Sequence, residues 1–228
     1  MVRPYVILTN DHFKMTIRSE AVLDQEALER GLVALADMDA DLREAIARHG
    51  APPLWEREPG FSTLLRIILE QQVSLASARA TYERLLMVVS PLTPATLLAL
   101  DDAALRTAGF SRQKASYARD LARSLADGSF DLVGLEKKDD EEGRAELTRL
   151  RGVGIWSADI YLLMALRRSD VWPRSDLALA TAAAEVKQLE RRPSPDELEG
   201  LASAWRPWRA VAARILWHHY LSTRHRHD

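Results

Sequence analysis

The stretch Leu147-Thr-Arg-Leu-Arg-Gly152-Val153-Gly154-Ile155-Trp156-Ser157-Ala158, an apolar helical run, and then Asp170-Val-Trp-Pro173-Arg-Ser-Asp176 decides how this chain is read. One helix ends at a Gly-x-Gly turn and a second begins at once. One glycine supplies the positive φ that ends a helix, and the other lets another backbone approach closely. The N–H groups of Gly152, Gly154 and Ile155 have no partner inside the helix and can face an anion such as phosphate. The carbonyls of Thr148, Leu150 and Val153 face one another around the turn and can hold a monovalent cation, Na or K. A plain Gly-ended helical hairpin is the competing reading of the turn taken alone.

Spacing adds weight. A helix of about twelve residues from Ile155 carries the chain ~18 Å away. The loop 169–174 brings it back and leaves Asp176 at the first turn of the next helix. A helix N-terminus favours negative charge, and a simple cap is the usual role of Asp there. Asp170 is a rival acid ahead of the proline break. A phosphate-binding turn tied to one carboxylate suggests an enzyme that acts on a base in DNA.

Outward from this core the chain reads as all-α. Asp24 caps a helix with Leu28, Leu32 and Leu35 on one face, and Asp39 to His49 is a short second helix. Phe61 to Val89 is a long run, read as two helices. Short helices at 94–100 and 102–107 follow Ser90-Pro-Leu-Thr-Pro94, and Ser111 caps one running to about Ala126. Further helices are expected at 139–149, 155–166, 176–190, 195–202 and 207–223. Residues 1–22 are the least helical part, a short strand pair or an irregular arm. Segment 105–122, with Gly109-Phe-Ser-Arg-Gln-Lys114, faintly echoes the hairpin, although an ordinary helical corner accounts for it.

Composition sets outer limits. The chain has 228 residues, 47% hydrophobic and 28% charged, enough for one large domain or two small packed ones. It has no cysteine, which excludes disulfides and cysteine-ligated zinc or iron–sulfur centres. No apolar run approaches the ~18 residues of a membrane span, so no membrane partner and a cytoplasmic, nucleoid-associated location are expected. The net charge of −2 lacks the basic footprint usual for a DNA binder. The charge is unevenly spread: acids crowd 19–44 and 136–146, while Arg206 to His227 is basic. The cations are mostly Arg, which suits bidentate phosphate contacts but also a GC-rich genome.

Four segments together resemble the helix-hairpin-helix DNA glycosylase superfamily, and within it the 3-methyladenine DNA glycosylase II family. They are Leu69-Glu-Gln-Gln-Val-Ser74, the hairpin 150–158, Asp170 to Leu177, and Trp205-Arg-Pro-Trp-Arg-Ala-Val-Ala-Ala-Arg-Ile-Leu-Trp217. The resemblance covers roughly residues 24–223. It implies two helical subdomains flanking a DNA-binding cleft: 61–170 as the central one, 24–60 plus 171–228 as the terminal one, with 1–22 as an arm. It implies a monomeric enzyme acting on damaged double-stranded DNA, with no cofactor required.

By that resemblance Asp176 is the catalytic acid, stabilising the cationic sugar as the N-glycosidic bond breaks and orienting water at C1′. An alkylated purine such as 3-methyladenine is already cationic and leaves as a neutral base, so one carboxylate can suffice where ordinary glycosidases use two. Trp156 stands where lyase-competent relatives carry lysine, which implies a glycosylase without strand cleavage. Gln71 and Gln72 match the segment that fills the hole left by a flipped base, with Gln72 the wedge. Bracing of the preceding helix is the structural alternative for both. Trp156 and Trp217 match walls of an aromatic pocket for a cationic base, and Tyr161 or Trp172 is a further candidate wall. Gly152, Val153, Gly154, Ile155 and Ser157 are assigned to the DNA backbone, and Arg209 to an Asp or a phosphate. Ile160 stands where a relative has an aromatic residue. Glu70 replaces the small residue usual before the paired glutamines, near the DNA or in a salt bridge with Arg66 or Arg79. Two other readings compete: a lesion-sensing DNA-binding module without catalysis, and a structural helical protein with no DNA role.

Overall fold

The computed structural model describes residues 22–224. The expected strand pair or arm at 1–22 falls, apart from Val22, outside the described residues. Among these residues every regular element is helical.

Side-chain caps start most of the helices, among them the expected Asp24 and Ser111. Asp24 accepts from the Ala27 N–H at 2.8 Å to open α1 (Gln25–Met38), and Asp39 caps α2 (Ala40–His49). The run after residue 60 splits into α3 (Phe61–Glu70) and α4 (Leu75–Val88), the latter capped by Ser74. Thr93, Asp101 and Ser111 cap α5 (Pro94–Leu98), α6 (Asp102–Thr107) and α7 (Arg112–Ala126). Asp139 and Glu142 form a reciprocal capping box on α8 (Asp140–Thr148), which leads to α9 (Ile155–Met164). Asp176 caps α10 (Leu177–Val186) and Ser194 caps α11 (Pro195–Ala202), before α12 (Arg209–Arg224) closes the described chain.

α10 stops four residues before the expected end. Gln188 adopts φ 51°, and the Leu189 N–H turns back to the Ala184 carbonyl at 2.9 Å. That left-handed stop usually carries glycine, so a glutamine gives no signal of it.

α9 is the axis of the fold. Residues Ser157 to Leu163 are all buried, with α8 and α3 packed beside it. α12 is the second axis, buried from Arg209 to Trp217 and flanked by α10, α2 and α1. α9 is apolar nearly all round, the pattern of a buried helix rather than a surface one, whereas α12 takes Arg209, Arg214 and His219 into the core with it.

Several ions are buried within this core. Arg214 is fully buried and donates to the carbonyls of Leu54 (2.7 Å), Ala210 (2.9 Å) and Leu163 (3.1 Å). Desolvation lowers its pKa to about 10. Asp159, on α9, is 1% exposed and receives Arg144 Nε at 2.6 Å. Burial pushes its carboxyl up to about 6, against the pull of Arg144. An acid whose folded pKa lies above its unfolded one favours folding most below pH ~4 and loses that advantage as pH rises through the folded value. Arg144→Met removes the opposing cation, so Asp159 should hold its proton to still higher pH. The variant is expected to lose roughly 3 kcal/mol at pH 8, and distinctly less at pH 5, where the acid is neutral in either protein. Denaturant melts at the two pH values check this; equal losses would show that Arg144 acts only by packing.

Candidate active site

The hairpin is a tight, braced turn. After α8 the Leu150 N–H bonds the Leu147 carbonyl at 3.1 Å and the Val153 N–H bonds the Leu150 carbonyl at 3.0 Å. Gly152 has φ 86°, the left-handed conformation that ends the helix. Gly154 is extended and forms the N-cap of α9, and no side chain caps that helix. The first turn of α9 therefore presents backbone N–H groups with no side-chain acceptor, and Ile155 stands half exposed at its tip. Gln71, just beyond α3, holds the turn from inside: its Nε2 donates to the Gly152 carbonyl and to Ser157 Oγ, both at 2.8 Å.

Asp176 lies 20 residues past Trp156 in sequence and beside it in space. The turn 173–176 is closed by the Asp176 N–H to the Pro173 carbonyl at 2.9 Å. The carboxylate then receives three donors. Oδ1 accepts from the Leu179 N–H (2.8 Å) and Trp217 Nε1 (3.2 Å), and Oδ2 accepts from Trp156 Nε1 (2.8 Å). A carboxylate has about four acceptor directions, so three bonds fix its plane and leave one direction open. Asp176 is 8% exposed and lines a broad opening with Trp156, Trp217, Gln71, Gln72 and the hairpin 148–154. It is neither sealed in the core nor turned to bulk solvent.

Other expected residues are placed elsewhere. Tyr161 is fully buried and does not line the opening; its hydroxyl accepts the Gly60 N–H at 3.0 Å, and burial raises its pKa to about 12. Trp172 is also buried away from the opening, edge-on to Trp205 with ring centroids 5.5 Å apart. Neither is a pocket wall. Arg209 is buried on Asp170 through Nε (2.9 Å) and Nη2 (3.0 Å), so it meets a carboxylate and is withdrawn from any phosphate. The same pair, with Arg206 at 2.8 Å, occupies Asp170 and removes it as a rival to Asp176. Val153 is buried with its N–H bonded to Leu150, and Ser157 is 1% exposed with its hydroxyl on Gln71. Both residues nevertheless line the opening.

The paired glutamines divide their tasks. Gln71 braces the hairpin. Gln72 is exposed, with φ 56°. Lys114 Nζ clamps the turn between α3 and Gln72 by donating to the carbonyls of Leu69 (2.6 Å) and Gln71 (2.9 Å), and desolvation lowers its pKa. Glu70 pairs with Arg66 (3.2 Å), as anticipated, and with Arg57 through two bonds of 3.0 Å, which was not; Arg79 pairs with Glu83 instead. Trp55, Lys114 and Tyr117 also line the opening. No motif in the sequence singles them out; the faint hairpin echo at 105–122 is the nearest signal for Lys114.

Comparison with known proteins fits this geometry. Residues 65–207 match the model of the HhH-GPD superfamily base excision DNA repair proteins. The chain belongs to that superfamily. YfjP of Bacillus subtilis (strain 168), provisionally named a DNA-3-methyladenine glycosylase, is 28% identical over 177 residues, which are 74% of this chain and 62% of that protein. The chain thus spans less than two thirds of that relative. DNA-3-methyladenine glycosylase 2 of Escherichia coli (strain K12) is 26% identical, over 76% of this chain and 64% of its own. Among solved structures, a DNA-3-methyladenine glycosidase from Bacillus halodurans superposes with a TM-score of 0.70 at 28% identity, covering 87% of this chain and 91% of that one. The Schizosaccharomyces pombe 3-methyladenine DNA glycosylase in complex with abasic DNA has the same fold, with a TM-score of 0.72 at 22% identity, covering 82% of this chain and 95% of that one.

Proposed function

We propose that this protein is a monofunctional DNA glycosylase that hydrolyses alkylated bases such as 3-methyladenine from damaged duplex DNA in base excision repair. The observation that carries the proposal is the Asp176 carboxylate, held by two indole N–H groups and a helix N-terminus at the edge of an opening walled by Trp156 and Trp217. A fixed negative charge beside C1′ stabilises the cationic sugar that develops as the base departs, and it orients the attacking water. The indole faces attract a cationic base. The first turn of α9 offers N–H donors to a phosphate. Gln72 would fill the gap that a flipped nucleotide leaves in the duplex, a role supported by its exposure on a turn clamped by Lys114.

The assignment of simple hydrolysis rests on the lysines. A lyase needs an amine that forms a Schiff base with C1′. Trp156 occupies the hairpin position, and Lys114, the lysine that lines the opening among the described residues, has its Nζ on two backbone carbonyls. Treatment of reacting complexes with borohydride is therefore expected to trap no covalent adduct. An adduct that disappears in Lys114→Met would overturn that part of the proposal.

The proposed partner is DNA, bound by a monomer, and a Na or K ion on the carbonyls of Thr148, Leu150 and Val153 fits the hairpin. The donor set is neutral oxygen, which suits a hard monovalent ion. The Leu150 carbonyl keeps one lone pair after accepting from Val153. The ion would tie the turn to a phosphate oxygen.

The direct test is incubation of the purified chain with methylated duplex and chromatography of the released bases. Free 3-methyladenine is the expected product. Salt-dependent binding to damaged duplex without release would favour the lesion-sensing module instead, and no affinity at all would leave only a structural role. Gln72→Ala should bind an abasic duplex about tenfold more weakly while Gln71→Ala also lowers the melting temperature, because only Gln71 braces the hairpin. Gel-shift and melting curves separate the two.

A further inference from the structure

The loop between α2 and α3 carries a half-buried tryptophan, Trp55, with φ 49°. A bulky side chain in the left-handed region is a genuine outlier and persists only where the surroundings enforce it. Here the enforcement is visible. The buried Arg214 guanidinium holds the Leu54 carbonyl at 2.7 Å, one residue before the outlier. Two residues after it, the Arg57 N–H bonds the Met164 carbonyl at 3.0 Å, at the inner end of α9. Gly60 is fixed by the buried Tyr161 hydroxyl, and Arg57 is locked on Glu70. Four anchors from α3, α9 and α12 thus converge on a loop that has no regular structure of its own.

The consequence is where the ring is delivered. Trp55 lines the same opening as Trp156, Asp176 and Trp217, together with Ile160 and Met164 of α9. Its ring lies 6.3 Å from that of His218, the residue after Trp217. The strained backbone thus brings an indole to an opening that the aliphatic Ile160 and Met164 of α9 also line.

We infer that Trp55 is a specificity-determining wall of the base pocket, its indole face stacking on the extruded base. This rests on the glycosylase reading above and adds to it a residue from a loop that carries none of the recognised motifs. An indole there selects for flat, electron-poor or cationic bases, and stacking of one base on one aromatic ring changes binding by roughly tenfold or more.

The test compares wild type with Trp55→Phe, Trp55→Leu and Trp55→Asn. Asparagine tolerates the left-handed backbone, so it removes the ring without adding strain, and leucine keeps apolar bulk if asparagine fails to fold. Three quantities are read: single-turnover release of 3-methyladenine, its ratio to released 7-methylguanine, and affinity for a duplex with a tetrahydrofuran abasic analogue, which has no base to stack. The Asn and Leu variants are expected to release 3-methyladenine at least tenfold more slowly with an altered ratio. Trp55→Phe should stay within about threefold of wild type, and abasic affinity should change less than twofold in all. Wild-type rates and ratios in Leu or Asn would overturn the inference. So would a parallel loss of rate and abasic affinity in all three, which is the mark of a residue that only holds the loop. If wild type itself releases no base, the glycosylase reading fails, and this inference falls with it for that separate reason.

Discussion

Asp176→Asn is expected to bind damaged duplex as the wild type does and to release base at least about 10³-fold more slowly. Electrostatic stabilisation by a single positioned group is worth that much at an enclosed site, and here the group removed is a full charge. The substitution is informative because the fold should survive it. Asparagine is as good a helix cap as aspartate, and its Oδ1 can keep both the Leu179 N–H and the Trp217 indole N–H. What it cannot keep is the bond from Trp156 Nε1, because its amide presents a second donor to that indole. A modest stability loss of about 1 kcal/mol is expected from this mismatch. The measurement is single-turnover base release beside affinity for an abasic-analogue duplex. Release within tenfold of wild type would remove Asp176 from the chemistry, and the proposal would lose its centre. A large loss of abasic affinity in step with rate would show instead that the carboxylate merely organises the two indoles.

The sequence carried the local events and not the distant ones. Asp24 and Ser111 announce helix starts because a cap acts across three residues. Gly152 and Gly154 announce the hairpin for the same reason, and Asp176 is at once a cap and the carboxylate of the site. By contrast, α9 is apolar nearly all round, so periodicity could not say that Tyr161 faces the core while Trp156 faces the opening. Trp172 sits in a loop, where no period exists. Arg209 was open to either a carboxylate or a phosphate, and the choice was made by Asp170, 39 residues earlier in the chain. Trp55 was invisible because its position depends on Arg214, 160 residues away from the Leu54 carbonyl that it holds. Each miss concerns which face a side chain takes after long-range packing, and single-sequence patterns do not encode that.

Gly152→Ala is expected to damage both stability and DNA binding, more than any other one-methyl change in the hairpin. Two costs add. The backbone sits at φ 86°, which a residue with a Cβ resists by roughly 1–2 kcal/mol. The new Cβ would also lie 2.8 Å from Cβ of Tyr117 and closer still to its ring carbons. Tyr117 has little freedom to yield: Gln113 Nε2 donates to its hydroxyl at 2.7 Å, and the Arg151 guanidinium lies 5.8 Å from its ring centroid. The turn must therefore move, and the Gly152 carbonyl that accepts Gln71 Nε2 moves with it. One methyl group so disturbs the phosphate-facing N–H groups and the glutamine turn together. A loss of about 3 kcal/mol corresponds to roughly 6–12 °C in melting temperature for a chain of this size, and undamaged-duplex affinity should fall at least tenfold. Gly154 is the internal control, because its φ is negative and a Cβ there meets nothing within 4 Å; Gly154→Ala should leave stability nearly unchanged. A double-mutant cycle with Tyr117→Ala separates the two costs, since removing the ring relieves the clash and leaves the backbone strain. If Gly152→Ala costs the same in both backgrounds, the ring contact contributes nothing and the strain alone shapes the turn. If it costs nothing in either, the turn is not the rigid element on which phosphate binding depends.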